Sequence, residues 1–172
     1  MTMCARHREC LFGEVMDGKM VLNTAGNIVD ECWRAIPVHF KHTALDTFVV
    51  MPNHIHGIIV IANVVVGARH AVPLQPSDNT ERFGQPIPGS LPTIVRSFKS
   101  AATRRINEMR DSPGATLWQR NYYEHVIRNQ GALDAIRGYI RDNPGMWMHD
   151  LENLKVRPPG PPEKKAIVTD AV

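Results

Sequence analysis

The chain has 172 residues, 43% of them hydrophobic: enough for one domain with its own core. Its 20 Lys and Arg against 17 Asp and Glu leave a net charge of +3, a mild tilt toward an anionic partner. The 3 cysteines (Cys4, Cys10 and Cys32) are odd in number and lack zinc-site spacing, which excludes a disulfide framework. No apolar run reaches membrane-spanning length, and there is no charged-then-apolar leader, so the sequence predicts a soluble, cytoplasmic protein without a membrane partner.

In chain order, Thr2 to Cys4 and Leu11 to Val15 offer short strands. Asn23 or Thr24 can cap a first helix through Trp33 that ends before Pro37. His39 and His42 follow and read as solvated connector residues. Leu45 to Met51 and His54 to Ile61 are strand material on either side of Pro52. Residues 63–92, rich in Gly and Pro and without a sustained period, predict a variable, mobile loop. From Thr93 to Arg110 an apolar stripe (Ile94, Phe98, Ala102, Ile106) recurs at helical spacing, while Arg96, Lys99, Arg104, Arg105 and Arg110 face elsewhere. Such a face can track phosphates, although the same pattern also suits a solvated surface helix. Tyr122 to Ile127 alternates as a strand would, with His125 a packing or DNA-contacting group, and Arg120 and Arg128 flank it within reach of phosphates. Trp118 and Trp147 suit packing better than base stacking. Leu133, Ile136 and Ile140 mark a last helix ending near Pro144. The domain therefore spans residues 1–152, and residues 153–172, with Pro158-Pro159-Gly160-Pro161-Pro162, predict a disordered tail. This alternation of strands with two or three helices predicts an α+β fold with a mainly antiparallel sheet.

Two motifs carry chemistry. In Met51-Pro52-Asn53-His54-Ile55-His56-Gly57, strand alternation puts His54 and His56 on one face, and two adjacent imidazoles form half of a divalent metal site. In Gly138-Tyr139-Ile140-Arg141-Asp142-Asn143-Pro144, Tyr139 and Asn143 stand one helical turn apart on one face. A phenol is a usable nucleophile and an amide oxygen a hard metal ligand. Each residue singly also has a plainer reading, a packing tyrosine and a helix-terminal asparagine.

Together, VVMPNHIHGIIVI, SLPTIVRSFKSAATRRIN, LWQRNYYEHVIRN and IRGYIRDNP resemble the REP-associated tyrosine transposases, in the single-strand transposase branch of the HUH endonucleases. The resemblance runs from about Arg8 to Trp147. It implies a ferredoxin-like α+β domain that cleaves single-stranded DNA at hairpin-forming repeats and rejoins it by strand transfer. It further implies that His54 and His56 hold Mg²⁺ or Mn²⁺, that Tyr139 forms a 5′-phosphotyrosine, and that Asn143 stands where related enzymes carry a glutamine as third ligand. Related enzymes act as monomers or homodimers. Family members carry a further basic and aromatic segment before the first strand. Here Met1 to Arg6 reads as beginning within that strand, and the expectation is a truncated, mis-started or decayed copy. Two rivals follow: a catalytically inactive, domesticated DNA-binding module, and a metal hydrolase with a water nucleophile. The hydrolase would need a carboxylate ligand, and Phe48 to Asn63 contains none.

Overall fold

The computed structural model describes residues 1–62, 87–150 and 152–153. In chain order these form β1 (Thr2–Cys4), a hairpin of β2 (Gly13–Met16) and β3 (Lys19–Leu22), α1 (Thr24–Arg34), the single turn α2 (Ile36–His39), β4 (Thr43–Val50), β5 (His54–Ile61), α3 (Leu91–Met109) and α4 (Gln130–Asp142). A 3₁₀ segment, Asn143–His149, follows α4.

Local chemistry fixes most of these boundaries. Asn23 caps α1 by accepting from the Gly26 amide at 3.0 Å, and Asn129 caps α4 by accepting from Ala132 at 2.8 Å. Ser90 caps α3, which therefore starts at Leu91, inside the stretch expected to be loop. The remainder of that stretch, 63–86, and the tail from 154 onward lie outside the described residues. The β2–β3 hairpin turns on Asp17 (φ 49°) and Gly18 (φ 71°), the two left-handed residues that a type I′ turn requires. Pro37 sits in the first turn of α2, where its missing N–H costs nothing.

The main sheet is antiparallel in the order β1-β5-β4. Beyond β1, residues 117–123 run alongside as an irregular edge: Arg6 N donates to Leu117 O at 2.8 Å, Gln119 N to Cys4 O at 2.9 Å, and Thr2 and Tyr123 exchange both bonds. Counting that edge as the fourth strand position, with α1 and α3 as the two crossovers, gives a ferredoxin-like α+β arrangement. The strand expected over Tyr122 to Ile127 is not formed. It is reduced to a single bridge at Tyr123, because β1 offers only Thr2–Cys4 to pair with, and Tyr123 through Val126 are exposed with no buried face to drive alternation.

The two faces of β5 serve different ends. Ile55 points into the core with Val29, Trp33, Ile94 and Phe98 of α1 and α3. Trp33 packs edge-on to Phe98 at 5.4 Å, and Trp118 stacks near Phe98 at 5.6 Å and Phe12 at 5.2 Å. Each large side chain so buried contributes about 1.5–3 kcal/mol. His54 and His56 point the other way, under α4 and the 3₁₀ segment, which explains why both faces of His54–Ile58 are buried. A bidentate pair fastens α4 to β4: Arg137 donates Nε to Asp46 Oδ1 at 2.9 Å and a terminal nitrogen to Oδ2 at 2.6 Å. Among the described residues, no helix is long and apolar enough to cross a membrane.

Candidate metal centre and active site

The strand periodicity delivers both imidazoles to one point. Nε2 of His54 and Nε2 of His56 are 3.0 Å apart, with ring centroids separated by 4.5 Å. Each ring is aimed by a partner on its other nitrogen. His56 Nδ1 meets Thr2 Oγ1 at 2.8 Å, and His54 Nδ1 meets Asn53 Oδ1 at 2.8 Å. The second contact sets the tautomer. Asn53 uses its NH₂ on the carbonyls of Arg8 (3.0 Å) and Glu152 (2.7 Å), so its oxygen must accept, His54 Nδ1 must donate, and His54 Nε2 turns a lone pair to the site.

Burial, reinforced by the charge of Arg8, holds the His54 imidazole down at about 4. Burial and then the neighbouring His54 hold His56 at about 3. Both rings are thus neutral at neutral pH, the form that ligates metal. The third side chain is Asp150, whose Oδ2 lies 3.7 Å from His54 Nε2. One donor atom from each of His54, His56 and Asp150 falls within 4.8 Å of the others. Two imidazoles and a carboxylate suit a divalent first-row ion.

Tyr139 comes down from α4 so that its hydroxyl is 3.4 Å from His56 Nε2, with the rings 5.2 Å apart. Partial burial and the Asp150 charge raise the phenol above its ordinary value, while the nearby Asn143 side chain opposes them. Asn143 itself is buried, and its Oδ1 has no partner among the described residues. Although Pro144 follows it, Asn143 keeps helical angles (φ −55°, ψ −42°), so the chain passes from α4 directly into the 3₁₀ segment and swings Asp150 back over β5. His56, Tyr139, Asn143 and Asp150 line one open cavity of about 880 Å³, together with Tyr123 and Arg8.

The basic residues divide. Arg96, Arg104, Arg120 and Arg128 are exposed, Arg104 lying 3.9 Å from Glu108 on its own helix. Lys99 and Arg105 have internal partners: Lys99 donates to the Gln119 and Asn121 carbonyls at 2.9 and 3.1 Å, fastening the irregular edge to α3, and Arg105 pairs with Glu31 at 2.5 Å. His125 and His39 are exposed, while His42 is hydrogen-bonded to Gly89 O at 2.9 Å. Trp118 and Trp147 are both buried. Asp150 escaped the sequence reading, its only trace there being that it is the first carboxylate beyond Pro144.

Fold and site together define a ferredoxin-like α+β domain in which one histidine of an adjacent pair, a carboxylate and a tyrosine line one cavity. The chain belongs to the family of an uncharacterized protein of Haemophilus influenzae, with which it is 40% identical over 159 residues, 87% of this chain and 81% of that one. No family model matches it.

Proposed function

We propose that the protein is a metal-dependent single-strand DNA endonuclease and strand transferase of the REP-associated tyrosine transposase type, with Tyr139 as nucleophile. The observation that carries this reading is the Tyr139 hydroxyl 3.4 Å from His56 Nε2 in a cavity open to solvent. A nucleophile that forms a covalent intermediate needs this proximity to the charge-neutralising group. The tyrosine is 56% exposed, so a strand can reach it.

A divalent cation held by the imidazoles would screen the phosphodiester charge and favour phenolate. Tyr139 oxygen attacks the phosphorus, the Tyr139 O–P bond forms, and the P–O3′ bond breaks. The phenol loses one proton and the departing O3′ gains one, so there is no net proton change. The product is a 5′-phosphotyrosine and a free 3′-OH. The linkage energy is conserved, so another 3′-OH can reverse the step, giving strand transfer. Asn143, one helical turn beyond Tyr139 and lining the same cavity, would orient the phenol toward the phosphate. Two imidazoles and a carboxylate suit Mn²⁺ among the first-row divalent ions, and Mg²⁺ follows from the motif resemblance. Exposed Tyr123 and the guanidinium groups of Arg96, Arg104, Arg120 and Arg128 offer stacking and phosphate contacts to the rest of the strand. Hairpin-bearing single strands as substrate follow from the motif resemblance.

Asp150 gives the hydrolase reading the carboxylate it needed, with a metal-bound water in place of the phenol. One experiment separates the readings. A pool of labelled hairpin-bearing single strands is incubated with the protein and Mn²⁺ and then denatured. A labelled band at protein mass in wild type, absent in Tyr139→Phe, supports the transferase. Cleavage undiminished in Tyr139→Phe supports the hydrolase, and a mobility shift with neither supports a binding module.

A further inference from the structure

We infer that Asp150, rather than Asn143, is the third protein ligand of the metal centre. The inference concerns the metal centre alone and holds whether the nucleophile is Tyr139 or water.

Three observations converge on Asp150. The first is spacing. Ligands about 2.1 Å from one ion stand about 3.0 Å apart at right angles and about 3.4 Å apart at tetrahedral angles. The His54–His56 separation of 3.0 Å already fits, and the carboxylate, 3.7 Å from His54 with all three donor atoms within 4.8 Å of one another, completes the set by moving inward. The second is an unmet need. Asp150 is 7% exposed at its side chain. Its Oδ1 accepts from the Glu152 amide at 2.8 Å, yet its Oδ2 is buried without a hydrogen-bond partner among the described residues. A buried carboxylate oxygen without a donor is costly, and a cation is the partner that the facing lone pair of His54 would share with it. The third is charge. Two neutral imidazoles leave a divalent ion uncompensated in a buried site, and one carboxylate brings the site to +1 while leaving positions open.

Asn143, whose Oδ1 is likewise buried without a partner among the described residues, offers only a neutral oxygen that leaves the ion's charge uncompensated. An amide is also the weaker ligand beside a carboxylate already within reach.

The assignment makes the chain beyond α4 part of the centre. That segment is fastened at the histidine strand by Asn53, just before His54, donating to Glu152 O at 2.7 Å and by the Trp147 ring 6.1 Å from His54, and is closed on itself by Asn153 donating to Trp147 O at 3.0 Å. A metal bridging Asp150 to His54 and His56 therefore locks the segment down, and metal binding should slow its opening.

The test uses the full chain, without DNA. Mn²⁺ binding is followed by loss of the free-ion electron paramagnetic resonance signal for wild type, Asp150→Asn, Asn143→Ala and Tyr139→Phe. Asp150→Asn keeps the shape and the Glu152 contact and should weaken Mn²⁺ at least tenfold, while Asn143→Ala and Tyr139→Phe stay within twofold. Amide exchange of the wild-type peptide covering 144–153 should slow on adding Mn²⁺, a readout that decides the matter even if Asp150→Asn does not fold. Asp150→Asn within twofold of wild type, a loss confined to Asn143→Ala, unchanged exchange, or no Mn²⁺ binding by wild type would each overturn the inference. Because no DNA is present, failure here is distinguishable from failure to form a covalent adduct.

Discussion

Gly57→Ala tests how the strand that carries the histidines is seated. A Cβ on Gly57 would lie 2.3 Å from Trp33 Cζ2, 2.9 Å from Cη2 and 3.1 Å from Phe48 Cβ. Carbon atoms rest about 3.5–4.0 Å apart, so the indole and β5 must separate by more than ~1 Å. Trp33 has nowhere to go: it is fully buried, with Phe98 at 5.4 Å and Phe48 at 5.8 Å. Overpacking of this kind costs about 3 kcal/mol, and at 2–4 °C per kcal/mol for a chain of this size the melting temperature should fall by about 6–12 °C. Differential scanning calorimetry reads this directly. Trp33→Phe, which removes the obstructing ring edge, should be destabilising alone, yet the double variant should be less destabilised than the sum of the two, a coupling of at least ~1 kcal/mol. A Gly57→Ala protein melting within about 2 °C of wild type, with additive behaviour in the double variant, would refute the packing of β5 against α1.

Other outcomes follow from named contacts. Asn53→Ala orphans two carbonyls and the His54 Nδ1 proton, so it should lower stability by about 2–4 kcal/mol and weaken Mn²⁺ binding, both measurable in one titrated melt. The Arg137 guanidinium, and then the Thr47 amide, hold the Asp46 carboxyl well below the usual carboxylate range. A depressed folded value means stability that is present above about pH 4 and lost as pH falls through the acid range, so Asp46→Asn should flatten the melting temperature's dependence on pH below about 4. Burial, followed by the charge of Glu152, pushes the Cys4 thiol up to about 12. At pH 8 a disulfide reagent should therefore modify it about a thousandfold more slowly than an ordinary thiol, exposed Cys10 should react first, and Glu152→Gln should speed the Cys4 phase.

How much of this could be read from the residues depended on the range of each signal. Period-two alternation put His54 and His56 on one face, and period 3.6 put Tyr139 above Asn143, because both relations lie within one element. The cap at Asn23 was equally local. The hairpin strand Lys19–Leu22 carries its turn signal in Asp17-Gly18, but four residues on each side are too few for alternation alone to register as a strand. Tyr122 to Ile127 alternated convincingly, but alternation cannot report whether a neighbouring strand has residues left to pair. Lys99 and Arg105 look like phosphate contacts in a helical projection. Only the folded chain brings the Gln119 carbonyl and Glu31 to them. Asp150 is the instructive omission. Its approach to His54 depends on the direction in which the chain leaves α4 after Asn143, a tertiary fact with no periodic trace.

Everything functional rests on Tyr139 and the histidine pair forming one reaction centre. The most direct measurement is mass-spectrometric mapping of the protein after reaction with single-stranded hairpin DNA and Mn²⁺, followed by nuclease trimming. The account predicts a phosphodeoxynucleotide on the peptide bearing Tyr139, lost in His56→Ala. A modified Tyr122 or Tyr123 with Tyr139 bare, or an adduct that persists in His56→Ala, would contradict it.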